Sequence, residues 1–275
     1  MSAAVSSRLG KYLSFFRIRF NAGLQYRAAA LGGIATQFAW GTMNLLMFRT
    51  FYAAGADDFP MTFAQLSAYI WLRQAFLAVF NTWSADNDIL ESITSGSVAY
   101  ELTRPCDIYS MWYMRTISRR LSGCLLRCLP ILTVAFLLPA PYGLSVPPDA
   151  LAFVGFLISL TLGVTLSCAF LMLIYGLTFY TMQPQGVRMI FGSIMEFLCG
   201  DIIPLPFYPE ALRKVLELTP FAAVSNVPFR AYSGNIAGDE LIKSIALQAV
   251  WLTAIVILGR ILVNGGVKRA VIQGG

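Results

Sequence analysis

Two long stretches without a charged residue constrain the fold of this chain most strongly. The first separates Arg27 from Arg49, and the second, nearly twice as long, separates Asp149 from Arg188. A helix of about 20 apolar residues crosses the roughly 30 Å hydrocarbon core of a bilayer. Apolar residues make up 57% of the chain and charged residues only 12%, against about 25% in soluble domains. The sequence therefore predicts an all-α integral membrane protein and disfavours a soluble helical bundle.

Hydropathy predicts six transmembrane helices within one membrane domain that covers residues 1–275. The predicted spans lie at about 28–48, 61–83, 122–138, 150–175, 187–203 and 241–263. Lysine and arginine favour the cytoplasmic side of a membrane. The loops 53–60 and 139–149 contain neither, whereas the segments before the first span and before the third are rich in arginine. We therefore expect both termini in the cytoplasm. The net charge of +6 then reflects topology rather than nucleic-acid binding.

Residues 6–25 have the pattern of an amphipathic helix. Its apolar side chains fall in one stripe at Leu9, Leu13, Phe16, Phe20 and Leu24, opposite Arg8, Lys11 and Arg19. A helix of this kind lies in the headgroup layer of a membrane, with its apolar face toward the acyl chains. We predict an interfacial helix on the inner side, which either anchors the first span or also contacts a partner.

The cytoplasmic loop 84–107 carries the signals of a short helix. Three residues can cap its first turn, because their side chains accept hydrogen bonds from free backbone N–H groups: Asp86, Asn87 or Asp88. The helix is predicted over 89–94, and Gly96 suits the left-handed turn beyond its end. It would present three apolar side chains at the surface: Ile89, Leu90 and Ile93. The loop is either a solvated connection with membrane-anchoring arginines or a docking element for a cytoplasmic protein.

The fifth apolar run breaks before it ends. It reads MIFGSIMEFLCG from Met189 and then reaches Gly200 and a series of prolines. Proline stops a helix, because it lacks a backbone N–H and clashes with the preceding turn. An amphipathic pattern follows over 211–218 and stops at Pro220. We predict a re-entrant helical hairpin on the outer side, over residues 200–221.

The order of these elements resembles that of ABC-2 family ABC transporter permeases. The resemblance rests on the basic N-terminal helix, on ILESITSG followed by YELTRP, on CGDIIPLPFYPEALRKVLELTPF after the fifth span, and on a C-terminal KRAVIQGG. It covers essentially the whole chain. It is strongest with the short branch, in which the permease pairs with a separate ATPase.

The resemblance implies roles for the cytoplasmic loop, the N-terminal helix and the outer hairpin. Residues 6–25 would be the connecting helix, 89–96 the coupling helix that contacts the ATPase, and 203–221 the re-entrant hairpin. The implied coupling residues are Ile89, Leu90, Glu91, Ile93, Gly96, Glu101 and Arg104. The implied hairpin residues are Asp201, Pro204, Pro206 and Pro209.

The resemblance also implies an assembly. Two permeases, identical or homologous, would dimerise in a bacterial cytoplasmic (inner) membrane and export a substrate. ATP and Mg would bind to the partner ATPase subunits. We expect the lipid bilayer, but no nucleic acid, as a further partner. The sequence does not select among a lipid, an amphipathic drug, a peptide and a glycan carrier as the substrate.

The chain lacks the motifs of an enzyme. Gly10-Lys11 is followed by Tyr12 and lacks the upstream glycine of a phosphate-binding loop. Histidine is absent, which removes the commonest general base and metal ligand. The five cysteines form no C-x-x-C motif. We therefore expect no catalytic, cofactor or metal site, and an intramembrane enzyme is disfavoured.

Charges inside predicted spans point to a transport pathway, because an ionisable group within a bilayer is costly. Arg73 and Glu196 are the pathway candidates, and Glu196 would either pair with Arg73 or reach water at the outer break. The alternative function is an ion- or proton-coupled secondary transporter that uses these two residues as its coupling pair. That class predicts inverted repeats with a broken span in each repeat. The sequence shows one broken span and no second one in a corresponding position. In the fourth span, Gly155 and Gly163 allow close packing of helices.

Overall fold

The computed structural model describes residues 2–25, 27–55, 59–81 and 83–269, which form helices joined by turns and loops and contain no strand. The helices are α1 (Ser2–Gly23), α2 (Arg27–Ala53), α3 (Phe63–Phe80), α4 (Asn87–Thr94), α5 (Val98–Leu102), α6 (Ile108–Leu137), α7 (Ala150–Thr181), α8 (Pro184–Leu198), α9 (Glu210–Glu217), α10 (Asn226–Tyr232) and α11 (Gly238–Val267), with a 3₁₀ turn at Leu205–Phe207. The all-α fold class is confirmed for these residues.

Three helices, α6, α7 and α11, are long and apolar enough to cross a membrane. They contain the third, fourth and sixth predicted spans. Helices α2 and α3 coincide with the first two predicted spans but do not reach the same length and hydropathy among the described residues. Helix α8 has 15 residues and ends at Leu198, short of the predicted end of the fifth span. Six spans and the placement of the termini stay predictions.

Aspartates fix the starts of α6 and α7. Asp107 accepts a hydrogen bond from the backbone N–H of Ser110 at 2.9 Å, and Asp149 accepts one from Ala152 at 2.6 Å. Each carboxylate satisfies one of the free donors at a helix start, where negative charge is also favourable. These caps set the level at which α6 and α7 begin.

Helix α7 is the centre of the bundle. It packs against α11 along its length and also contacts α3, α4, α6, α8 and α10. Most of its second half is buried, which explains why its sequence is apolar all round rather than on one face. The two glycines singled out in the fourth span lie at close approaches, Gly155 to Leu241 of α11 and Gly163 to the backbone of Val224.

Helix α1 packs against α6 rather than lying apart from the bundle. Phe16 and Phe20 are half-buried and stack with their ring centroids 5.7 Å apart, as the predicted stripe requires. Leu13, in the same stripe, is 59% exposed, and the side chain of Leu9 lies outside the described residues. The hydroxyl of Tyr12 accepts a hydrogen bond from the N–H of Asp107. The interfacial position of α1 stays a prediction.

The break after the fifth apolar run is present in the structure. Helix α8 stops before Gly200, which has φ of +79°, and α9 forms where the amphipathic pattern predicts a helix. Pro204 and Pro206 are buried, whereas Pro209 is exposed and directly precedes α9. Insertion of this hairpin into the membrane stays a prediction.

The chain enters the bundle further on, through α10, which the sequence analysis did not identify. Helix α10 packs against α7 and α3. Its Phe229 is fully buried and forms edge-to-face contacts with Tyr69 and Phe80 of α3. Asn226 is also buried, and its side-chain oxygen accepts a hydrogen bond from the Tyr69 hydroxyl at 3.3 Å. Burial in this region therefore continues beyond the predicted hairpin, which ends at residue 221.

Candidate functional site

Asp86 caps the short helix α4. Its carboxylate accepts a hydrogen bond from the N–H of Asp88 at 3.1 Å, and its own N–H donates to the hydroxyl of Tyr175 at 2.9 Å. The sequence left three capping residues open, and the structure selects this one. Gly96, with φ of +74°, follows the end of the helix as predicted.

A forked ion pair attaches α4 to α6. Arg115 Nε lies 2.7 Å from Asp86 Oδ2, and Arg115 Nη2 lies 3.0 Å from Asp86 Oδ1. The same Nη2 also donates to Asp88 Oδ2 at 2.6 Å. Bidentate pairs between a guanidinium and a carboxylate are among the stronger hydrogen-bonded contacts in proteins and fix relative orientation. Arg115 belongs to the arginine-rich segment before the third predicted span, and the sequence gives no signal for its partners.

The apolar face of α4 is buried inside the chain. Ile89, Leu90 and Ile93 are almost fully inaccessible and belong to one core cluster with Trp112 of α6 and Tyr175 of α7. The expectation that these three side chains lie at the surface is therefore wrong. Helical spacing identifies an apolar face correctly, but it does not say which part of a protein covers that face.

The opposite face of α4 and the neighbouring α5 are open to solvent. Glu91 is exposed on α4, and Arg104 is exposed just beyond α5. Tyr100 of α5 is 79% exposed, a large aromatic that sequence reasoning passed over. Glu101 is half-buried and accepts a hydrogen bond from Trp112 Nε1 at 2.5 Å, which holds α5 against α6. Among the predicted coupling residues, Glu91 and Arg104 are therefore free to meet a partner.

A third contact links α4 to α8. Arg188 Nη1 donates to the side-chain oxygen of Asn87 at 3.1 Å. Helix α4 consequently touches three helices that lead away from it: α6 through Arg115, α7 through its apolar face, and α8 through Asn87. A displacement of α4 would be felt by all three.

The two pathway candidates, Arg73 and Glu196, are not paired with each other. Arg73 is half-buried on α3 and Glu196 is half-buried on α8, and these two described residues form no ion pair with each other. Glu196 lines a cavity of about 230 Å³ together with Trp83 and Arg188. Asp201, at the break, accepts a hydrogen bond from the Ser225 hydroxyl at 3.4 Å. The direct Arg73–Glu196 pair is thus absent from this part of the chain.

The comparison with known families agrees with this architecture. The family model described as ABC-2 family transporter protein matches residues 38–274, which include α3 to α11 and thus α4 with its Asp86 cap. No curated protein matches the chain. Because the family model covers most of the sequence, the chain belongs to the ABC-2 family of transporter proteins.

Proposed function

We propose that the chain is the permease subunit of an ATP-driven ABC exporter. Two permeases form the translocation pathway as a dimer in the bacterial inner membrane, and separate ATPase subunits bind ATP and Mg. Family membership supports the permease role, since the ABC-2 component is the transmembrane part of such transporters, carries no ATPase domain of its own and associates with ABC ATPase subunits. The direction of transport and the dimer rest on the family resemblance.

The attachment of α4 is the observation that carries the coupling role. Helix α4 is short, capped by Asp86 and clamped to α6 by Arg115, with its apolar face buried. An element fixed in this way moves as a rigid body, because charge-assisted bonds and close packing resist local deformation. Its exposed Glu91 remains available to a basic residue of the ATPase.

The proposed path of the movement follows these contacts. The ATPase meets Glu91 of α4, with Tyr100 and Arg104 beside it, and displaces α4 and α5 together. Arg115 passes the displacement to α6, which is long enough to continue through the membrane. The buried residues Ile89, Leu90 and Ile93 act inside the chain, as the joint between α4 and the long helices, rather than as contacts to the ATPase.

The pathway and its outer end form the second part of the proposal. Arg73 and Glu196 line the route of the substrate, and the broken segment with Asp201, Pro204, Pro206 and Pro209 closes its outer mouth. Two features support this arrangement: the cavity beside Glu196 and the buried packing of Pro204 and Pro206.

Purification of the full chain from its own cells in gentle detergent tests the proposal. We expect an ATPase with a phosphate-binding loop to co-purify and to hydrolyse ATP in the reconstituted complex. Glu91→Arg should release the ATPase, because it reverses the charge of an exposed contact residue. Asp239→Arg is the matched control, since Asp239 is an exposed acid at the start of α11. Recovery without any ATPase, together with ion-gradient-driven transport, would instead establish a secondary transporter.

A further inference from the structure

A basic cavity of about 210 Å³ lies beside the attachment of α4. It is enclosed by the end of α3, the segment that leads into α4, and the middle of α6, with Tyr175 of α7 at its back. Three arginines of α6 line it: Arg119, Arg120 and Arg127. The coupling role of α4 does not use this cavity.

The positive charge of this basic cavity is only partly balanced. Asp86 is the one carboxylate among its lining residues, and it already accepts two hydrogen bonds from the guanidinium of Arg115. Arg119 reaches Asp86 at 3.4 Å, whereas Arg120 and Arg127 form no ion pair within the described part of the chain. Asp88 on α4 and Arg115 on α6, the two partners of Asp86, belong to the same group of charges. This group contains four arginines and two aspartates, so its net charge is +2.

Arg120 is the most unusual member of the basic cavity, because it is 4% exposed and no described residue serves as its counter-ion. Its guanidinium donates to the backbone carbonyls of Val79 and Asn81 and to the hydroxyl of Ser167. Its Nε finds no hydrogen-bond partner in the part of the chain that the structure describes. A buried charge held only by neutral dipoles is costly, and an anion beside it lowers that cost.

The inner end of the basic cavity lies at a suitable depth for a lipid headgroup. Leu137 ends α6, and at about 1.5 Å per residue Arg127 lies roughly 15 Å and Arg120 roughly 26 Å from it. A hydrocarbon core about 30 Å thick then places Arg120 near its inner boundary. Gly33 of α2 leaves room for the Arg127 guanidinium, since a Cβ there would stand 2.8 Å from Arg127 Cζ.

We propose that this basic cavity binds a phosphate-type anion. Guanidinium groups pair with phosphate oxygens through two parallel hydrogen bonds, and basic pockets between membrane helices on the cytoplasmic side hold phospholipid headgroups. The anion comes either from an anionic phospholipid or from phosphate in solution. Since Asp86 caps α4 and lines the same cavity, the bound anion competes with it for Arg119 and touches the attachment of α4.

The test adds increasing amounts of lipid or phosphate to the purified full chain in detergent and measures its melting temperature at each step. One arm adds phosphatidylglycerol, a second adds phosphatidylcholine, and a third adds inorganic phosphate without lipid. Phosphatidylglycerol should raise the melting temperature saturably and phosphatidylcholine should not. The double variant Arg119→Gln/Arg127→Gln should weaken the apparent affinity roughly 25-fold, about fivefold for each arginine. Saturation by inorganic phosphate that the same variant abolishes would support the site with a soluble ligand.

The controls separate a specific site from general attraction to charge. Arg17→Gln removes an exposed arginine of α1 and should leave the titration unchanged. Arg127→Lys keeps the charge without the fork and should bind with intermediate affinity; it also replaces the double variant if that protein elutes as an aggregate. Equal stabilisation by both lipids, or the same loss in Arg17→Gln as in the cavity variants, would overturn the proposal.

Discussion

Arg115 donates two hydrogen bonds to the carboxylate of Asp86, from Nε at 2.7 Å and from Nη2 at 3.0 Å. The two residues are separated by a helix, a turn and a second helix along the chain, yet both are largely buried. Asp86 also caps α4 through Asp88, so one carboxylate sets the start of that helix and attaches it to α6. The geometry makes this pair a direct link between α4 and the long helix α6.

The first prediction concerns this pair. Asp86→Asn should lower the free energy of unfolding by about 3 kcal/mol, because it removes the buried counter-charge of Arg115 and leaves that arginine only the exposed Asp88. In the transporter complex the same change should uncouple ATP hydrolysis from the permease. Melting temperature and ATP hydrolysis are the two measurements.

A double-mutant cycle with Arg115→Gln separates the pair from its surroundings. The double variant should be less destabilised than the sum of the two single variants, since each single change already breaks the same contact. Strict additivity would mean that Asp86 acts only as the cap of α4. Asp88→Asn, on the exposed partner of the same arginine, should cost far less.

The second prediction concerns the apolar face of α4. Ile93→Ala should lower stability by about 3 kcal/mol, because it opens a cavity in the core shared with Trp112. Leu102→Ala is the control, as it removes an aliphatic side chain that is 40% exposed on α5. The melting temperatures of both variants in detergent decide the matter. Equal melting temperatures would mean that Ile93 lies at the surface, as its sequence pattern first indicated.

The contrast between local and long-range features explains how much the sequence could predict. Capping residues and apolar periodicity are local signals, carried by residues that are near one another along the chain. They predict the α4 helix, the turn at Gly96 and helix α9. The burial of Ile93 and the bond from Arg115 to Asp86 depend on residues brought together by the fold. No local pattern encodes those contacts. The apolar faces were therefore predictable, and their partners were not.

Helix α10 was missed for a related reason. Its segment carries Pro228, which usually indicates a break, and it has no capping side chain. A proline in the first turn is compatible with a helix, because the N–H it lacks would have no partner there. Burial of Phe229 among the aromatic rings of α3 then stabilises a helix that local signals do not favour.

The third prediction concerns the exposed aromatic of α5. Tyr100→Ala should weaken binding of the ATPase about tenfold or more, because tyrosines at the centre of an interface often contribute most of its affinity. Stability should not change, since the side chain is 79% exposed. Trp40→Ala, which removes an exposed aromatic from α2, is the control. The affinity of each variant is measured on immobilised ATPase. If Tyr100→Ala bound as tightly as Trp40→Ala and the unmodified chain, Tyr100 would have no role in the contact.

The fourth prediction concerns the approach of α7 to the segment before α10. A Cβ at Gly163 would stand 2.2 Å from the carbonyl oxygen of Val224, so the backbone would have to shift. Gly163→Ala should therefore lower stability by about 2 kcal/mol, the usual cost of overpacking, and loosen α10. Gly32→Ala, in α2, meets nothing within 4 Å and should raise stability by up to about 1 kcal/mol through helix propensity. Opposite shifts in melting temperature would confirm that Gly163 serves close packing, whereas a higher melting temperature in both variants would show that Gly163 affects stability through helix propensity alone.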